Sequence, residues 1–390
     1  MKIMKYIILN FAYGFGPFLR TTELALAINA ILEQKGLERL GVIIPWVYGE
    51  KQKQILEQEF TLMIRKNPDQ LVLDKNLGQI LGSIFYGDKG YEESLSYYLA
   101  NRENIENKIK DYFADGLMVQ NFAGLPVQIK SSQIAFCISR APRVNFPIEF
   151  SYNASFAFIS EILDLAIAET DITLDKNLFK SVAPYYFEIE AKQTLNFIAE
   201  PGTFSYLKER LPRHKNEILT PPNAALLPKK IDCGQIKKGI YLTVTGIPTL
   251  ERLFQEAKRM GVKIYSNNPK AISGSQNALP HILGCPNILF HFARSGWGSA
   301  WLSLLKKSPF VTPAYDQKDD PEIYFNNICL EKMGLGLVYK GQSISDLIAF
   351  GKQYRLNANN IIKNLLAKYG TLDGISYTAE KIVSHYLNGI

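Results

Sequence analysis

Arg294-Ser295-Gly296-Trp297-Gly298-Ser299 is the stretch that decides how this 390-residue chain folds. Two glycines flank a tryptophan, after the apolar run Ile288-Leu289-Phe290 and before a segment of helical periodicity that begins near Ser299. A strand that passes into a helix through such a loop leaves the first helical N–H groups unpaired, and they carry a partial positive charge. Gly296 and Gly298 remove side chains there, so backbone can approach a ligand. Ser295 and Ser299 offer hydroxyls, and Arg294 adds a full charge with a planar fork of donors. Together these groups suit a phosphate. A tight turn alone would also account for the glycines. Thr245-Gly246, at the end of the apolar run from Tyr241, is a second candidate phosphate-facing loop.

On either side of that loop the second half of the chain alternates strand and helix. Val262-Lys263-Ile264-Tyr265 and Phe310-Val311-Thr312 read as strands, the latter stopped by Pro313. A helix over about 321–333 stops at Gly334, and a strand over 335–339 follows. Three helical patterns then close the chain, the last near 376–387. The first half begins in the same way. Tyr6-Ile7-Ile8-Leu9 is an apolar strand, 10–17 a loop, and Thr21 or Thr22 a cap for a helix ending near Gly36. Strands are expected at 42–44, 117–119 and 134–138, and helices at 157–168, 202–210 and from about Arg102. Residues 211–235, with Pro212, Pro221, Pro222 and Pro228, read as a linker.

Such βαβ alternation implies parallel sheets with helices on both faces. The expectation is an α/β chain of two doubly wound, Rossmann-like domains, over 1–225 and 226–372, with a ligand at the carboxyl ends of the strands in the cleft between them. A last helix over 373–390 is expected to return to the N-terminal domain.

Composition limits the function classes. A net charge of +7 without a basic run longer than a Lys-Lys pair does not suggest a nucleic-acid partner. No apolar run reaches the roughly 18 residues of a membrane-spanning helix. The apolar start of the chain ends at Asn10 without a small-residue cleavage site, and reads as a strand rather than a leader. Cys137, Cys233, Cys285 and Cys329 are far apart and form no CxxC pair, so four free thiols and a reducing cytoplasm are expected. The aromatics of 84–98, among them Phe85, Tyr86, Tyr91, Tyr97 and Tyr98, are expected in the core. An acceptor pocket or a peripheral membrane contact are the other uses considered.

Residues 287–336 resemble the donor-binding signature of the GT-B nucleotide-sugar glycosyltransferases, the UDP-glycosyltransferases and the lipid-linked N-acetylglucosaminyltransferases. Residues 295–299 fall on the family's glycine-rich part, Pro309 and Pro313 on its two prolines, and Asp320-Pro321-Glu322-Ile323-Tyr324-Phe325-Asn326 on the segment that contacts sugar hydroxyls. Gly334-Leu335-Gly336 matches the end of that helix. The resemblance implies a metal-independent transferase that moves a hexosyl or N-acetylhexosaminyl group from a nucleotide sugar, a UDP-sugar in the first instance, to a small-molecule or lipid-linked acceptor. The nucleotide sugar is a substrate, and no cofactor is implied. Thr245, Gly246, Arg294, Ser295, Gly296, Gly298, Ser299, Asp320, Glu322 and Asn326 become the implied donor contacts. Gly14, Phe15 and Gly16 fall on the acceptor-side loop.

The chain departs from the family in three places. Arg294 stands where the family has a histidine, and Leu302 where it has the glutamate that binds the ribose. Leucine accepts no hydrogen bond from a diol. Phe15 falls nearest the family's catalytic histidine, and no histidine occurs before His214. A carboxylate is the natural substitute for the base. Glu23, read as a first-turn helix residue, is the first candidate and Glu149 the second. Phe15 and Leu302 also admit a catalytically inactive binding protein on the same fold, and a sugar-nucleotide epimerase is a further alternative. The acidic run Asp316, Asp319, Asp320 and Glu322 suggests a metal site, but the resemblance implies that helix dipole and cations hold the leaving phosphates instead, and His214, His281, His291 and His385 share no ligand spacing.

Overall fold

The computed structural model describes residues 4–67, 69–85, 90–148, 153–156, 158–224, 232–243 and 250–388. The chain forms two compact units. The first gathers Met1–Ile198, Leu211–Thr220 and Ile375–Ile390, and the second Ala199–Arg210 and Pro221–Gly374.

The first unit is built on strands β1 (Tyr6–Phe11), β2 (Gly41–Pro45), β3 (Leu71–Asp74), β4 (Leu117–Asn121), β5 (Pro126–Ile129), β6 (Ile134–Arg140), β7 (Asn153–Phe156), β8 (Leu195–Ala199) and β9 (Glu217–Thr220). They lie in the order β5-β4-β3-β2-β1-β6-β7-β8-β9. The run from β3 through β1 to β8 is parallel, and β4 and β5 are antiparallel additions at one edge. Between the strands run α1 (Phe15–Gln34), α2 (Gly49–Glu59), α3 (Thr61–Lys66), α4 (Lys75–Gly82), α5 (Tyr91–Asp115), α6 (Ile159–Ala168) and α7 (Lys176–Ala191). Every residue of β1 and β2 is buried, as a parallel strand covered on both faces requires. Ile7, Ile8 and Leu9 are fully inaccessible, each worth roughly 1.5–3 kcal/mol of burial.

The second unit carries β10 (Gly239–Leu242), β11 (Lys263–Ser266), β12 (Gln276–Asn277), β13 (Ile288–Phe292), β14 (Phe310–Pro313) and β15 (Leu337–Tyr339), with helices α8 (Leu250–Arg259), α9 (Trp297–Lys306), α10 (Pro321–Lys332) and α11 (Ile344–Tyr369). All pairings in its sheet, β12-β11-β10-β13-β14-β15, are parallel. Gly239 starts β10 where a Cβ would stand 2.6 Å from the Tyr265 ring. The last helix, α12 (Gly374–Asn388), buries Ala379, Ile382 and Val383, and Tyr386 meets Phe136 of β6 at a ring separation of 5.3 Å.

Several sequence expectations change. The first helix starts at Phe15, not at Thr21, because Gly14 adopts φ 114° and Pro17 sits in the first turn, where a missing N–H costs nothing. Thr21 and Thr22 instead turn their hydroxyls back onto the carbonyls of Pro17 and Phe18. No helix forms over 202–210. The supposed linker contains β9, which joins the first sheet. Two helices close the chain rather than three. The Ser343–Asp346 capping box opens α11 and Gly370 at φ 71° ends it, with no break between. The aromatic segment lies mostly in α5, where Tyr91 and Tyr98 are buried but Tyr97, expected in the core, is exposed on another face of the helix, and Tyr86 lies outside the described residues.

The cysteine expectation is corrected as well. Cys233 and Cys285 form a disulfide, with Cα atoms 5.6 Å apart. The pairing of Gly239 with Ile288 brings together the segments that precede β10 and β13, a proximity hidden by a separation of 52 residues. Cys137 and Cys329 are free and buried, and burial pushes both thiols up to about 12. Four free thiols no longer support a reducing compartment. Among the described residues no helix is long and apolar enough to cross a membrane.

Candidate functional site

The loops that follow β13 and β14 lie side by side because those strands are parallel neighbours. The first loop leads into α9, and Gly296 is its N-cap with no side-chain cap. Gly296 has φ −62° and ψ 134°, which any residue adopts, and Gly298 lies within α9 without positive φ. A Cβ on either would meet nothing within 4 Å. Neither chain conformation nor packing therefore demands glycine at these positions. Glycine inside a helix costs about 1 kcal/mol relative to alanine. What the two glycines achieve is a bare helix N-terminus: the Trp297 and Gly298 N–H groups have no partner among the described residues and are open to an anion, while the Ser299 N–H donates to the Gly296 carbonyl at 3.0 Å. The Ser299 hydroxyl has no partner among the described residues.

Three contacts tie this loop to the start of α10. The Arg294 Nη1 donates to Asp319 Oδ1 at 2.8 Å, the Ser295 hydroxyl donates to the Ile323 carbonyl at 3.2 Å, and the Trp297 Nε1 donates to Asn326 Oδ1 at 2.7 Å. Arg294 remains 55% exposed while Asp319 is 13% exposed. Burial raises the Asp319 pKa, the Arg294 charge opposes that rise, and Asp316 adds to it. Asp320 is the N-cap of α10, its Oδ1 accepting from the Glu322 N–H at 2.9 Å.

Trp297 and Trp301 face inward rather than towards a ligand. Trp297 Nε1 also donates to Thr203 Oγ1 at 3.0 Å, and Trp301 Nε1 donates to the Pro201 carbonyl at 2.6 Å. Asn326 is fully buried. Its Oδ1 accepts from Trp297 and from the Thr203 hydroxyl, both at 2.7 Å, and its Nδ2 donates to Glu322 Oε1 at 3.2 Å. The sequence signature places Asn326 among the sugar contacts, whereas its hydrogen bonds anchor the first residue of α9. Ser295, likewise inaccessible, holds its loop down. Sequence reasoning missed Pro201 and Thr203; for Thr203 a helix was expected, over 202–210. The Pro201-Gly202 pair, a turn signal in sequence, was the available sign, and in the fold a Cβ on Gly202 would stand 2.3 Å from the Ala199 carbonyl.

Behind the loop, His291 is held by Ser303 Oγ at 2.7 Å and Thr243 Oγ1 at 3.3 Å, and burial pulls its pKa down to about 3. It is a satisfied core histidine, as its apolar sequence surroundings suggest. Leu302 packs on a small apolar cluster of Tyr241, Tyr265, Ile282 and Ile288, next to the Cys233–Cys285 disulfide. Thr245 and Gly246 lie outside the described residues. Among the described residues no group of three or more His, Cys, Asp or Glu could hold a metal ion.

In the first unit, Gly14 and the first turn of α1, with Phe15 and Gly16, follow the carboxyl end of β1. The Gly14 N–H donates to the Tyr48 hydroxyl at 2.6 Å. Tyr13, Tyr48 and Phe85 cluster beside it, with ring centroids 6.2–6.4 Å apart. Glu23 is not a first-turn residue. It lies well down the 20-residue α1 and is paired with Arg20. Burial raises the Glu23 pKa, and Arg20 opposes the rise. Glu149 lies outside the described residues.

No sequence-family profile matches the chain, and no curated protein matches it. Solved structures do. TcCGT1 in complex with UDP aligns over 100% of both chains at 14% identity, with a TM-score of 0.61. Arabidopsis thaliana UGT89C1 complexed with UDP-L-rhamnose aligns over 99% of this chain and 100% of its own at 11% identity and a TM-score of 0.57. The calicheamicin glycosyltransferase CalG4 aligns over 99% of both chains at 10% identity and a TM-score of 0.57. At such identities the likeness establishes the fold, the two-unit GT-B architecture.

Proposed function

We propose that the protein transfers a sugar from a nucleoside-diphosphate sugar, a UDP-sugar in the first instance, to a hydroxyl of a small-molecule or lipid-linked acceptor. The observation that carries this reading is the pair Gly296 and Gly298. Neither is required by the turn or by packing, and both keep the start of α9 bare beside the exposed Arg294. A leaving diphosphate develops charge as the glycosidic bond breaks, and fixed N–H dipoles with a guanidinium stabilise it without reorganisation. In this proposal that positive charge takes the place of a metal, and no cofactor takes part. Thr245-Gly246 is kept as the second phosphate-facing loop.

Asp320 and Glu322, at the start of α10, are the proposed acceptors for sugar hydroxyls. Asn326 and Ser295 act through Trp297 and the loop backbone rather than by touching the donor. The sugar itself is a hexose or an N-acetylhexosamine in this reading. On the acceptor side, Gly14, Phe15 and Gly16 are the proposed contacts. Glu23 is the proposed base, favoured by a pKa that burial raises against the opposing Arg20 charge, with Glu149 as second candidate.

A second reading, a protein that binds the donor without turnover, is favoured by Leu302, whose side chain lies on an apolar cluster and offers nothing to a ribose diol. A sugar-nucleotide epimerase would form product without an acceptor. One assay separates them: a panel of nucleotide sugars, with and without acceptors, followed by release of the free nucleotide. Transferase activity lowered at least tenfold in kcat/KM by Arg294→Ala supports the proposal. Stabilisation by the donor without turnover supports the binding protein. Neither binding nor turnover across the panel would sink both.

A further inference from the structure

A groove of about 360 Å³ lies in the first unit, where α5 and α7 pack over the loop that follows β6. Tyr98, Arg102, Glu106 and Lys110, four residues apart on α5, face it along one helical stripe. Tyr185 and Glu188 of α7, with Lys192 at its C-cap, form the other wall, and Phe146, Pro147 and Ile189 supply apolar surface. The volume is that of a small-molecule site.

The charges in this groove are not evenly matched. Arg102 is satisfied within the wall: its guanidinium carbon stands 4.1 Å from the Tyr185 ring centre and its Nη1 is 3.3 Å from Glu106 Oε1. Lys110 and Lys192 have no ion-pair partner among the described residues, and neither has Glu188. One positive charge is left over. Tyr98 adds an independent observation. It is fully buried, it stacks on Tyr186 at 5.4 Å, and its hydroxyl has no hydrogen-bond partner among the described residues. An unpaired buried hydroxyl costs roughly 1–3 kcal/mol. A bound molecule with an acceptor atom would remove that cost.

We propose that this groove is a second ligand site, for a small anion with an aromatic body. The ring lies on Phe146, Pro147 and Ile189, the anionic group sits between Lys110 and Lys192, and an acceptor atom of the ligand takes the Tyr98 hydroxyl. The site belongs wholly to the first unit and does not depend on the sugar-transfer reading. Its ligand chemistry admits a carboxylate or a phosphate.

The test is ligand-observed NMR on the full chain with phenylacetate and phenyl phosphate as probes, and benzylamine and benzyl alcohol as controls. Saturable binding of either anion, with neither control competing, is expected. The anion that binds names the source as carboxylate or phosphate. Both lysines are exposed, so Lys110→Ala combined with Lys192→Ala leaves the melting curve unchanged and weakens binding about tenfold. Tyr98→Phe weakens it as well, and Arg294→Ala leaves it intact. Absence of saturable binding for both anions, equal binding of benzylamine, or undiminished binding in the double lysine variant overturns the proposal.

Discussion

The indole Nε1 of Trp297 and the side-chain carbonyl of Asn326 meet at 2.7 Å below the glycine-rich loop, and that bond fixes the first residue of α9 to the body of α10. Thr203 completes the arrangement. Asn326→Leu removes the acceptor of the Thr203 hydroxyl and leaves Trp297 Nε1 with Thr203 Oγ1 alone, a loss of about 1–3 kcal/mol in the unfolding of the second unit. Denaturant titration followed by tryptophan fluorescence measures it. A change below about 0.5 kcal/mol would mean that the network is incidental.

Gly298→Ala separates folding from binding. Open space surrounds the position and its backbone is helical, so alanine stabilises the helix by up to about 1 kcal/mol. In the proposed site the same methyl group stands where the diphosphate would approach, and the expected outcome is a fall of about tenfold in UDP affinity, which is 1.4 kcal/mol. Calorimetric titration and a thermal melt on the same sample read both. Higher stability with unchanged affinity would remove Gly298 from the site.

His291 sets a pH dependence. Its folded pKa lies near 3 through burial, against 6.5 in the unfolded chain. Within that window the unfolded chain binds a proton that the folded chain refuses. The stabilisation is complete above pH 6.5 and is lost as pH falls towards 3. His291→Gln flattens this slope between pH 7 and pH 4. Equal slopes for the two proteins in urea titrations across that range would assign the acid sensitivity to other groups.

The Cys233–Cys285 disulfide closes a loop of 52 residues, for which the chain-entropy relation gives about 4 kcal/mol. Reduction, or Cys233→Ser with Cys285→Ser, lowers the melting temperature of the second unit and leaves that of the first in place. Mass spectrometry after alkylation without reductant checks the bond itself: two blocked thiols, Cys137 and Cys329, are expected once the chain is denatured. Four alkylated cysteines would refute the pairing.

The sequence made much of the fold legible because parallel strands covered on both faces read as unbroken apolar runs, as in β1, β2 and β13. Short strands such as β8 and β9 offered too few residues for any period to show, and Pro184 interrupts the pattern of α7. The glycine-rich loop was legible as a strand-to-helix turn, and its glycines, serines and arginine carry the proposed donor site. Which of its residues face outward was not legible. Asn326 and Ser295 carry the same polar groups whether they meet a sugar or a tryptophan, and only the fold decides. The disulfide was hidden for the same reason: strand pairing, not sequence spacing, creates the proximity.

The first unit draws on residues from both sides of the second, since α12 follows α11 in sequence yet lays Tyr386 against Phe136. A ribosome therefore cannot finish the first unit when it finishes β9. Through the synthesis of some 150 further residues, Pro221–Gly374, the surface that α12 later covers is left without its helix, a situation that favours chaperone binding on nascent chains. Completion in order of synthesis, first unit then second, is closed to this chain. The second unit, whose residues end at Gly374, is fully synthesised before α12 completes the first.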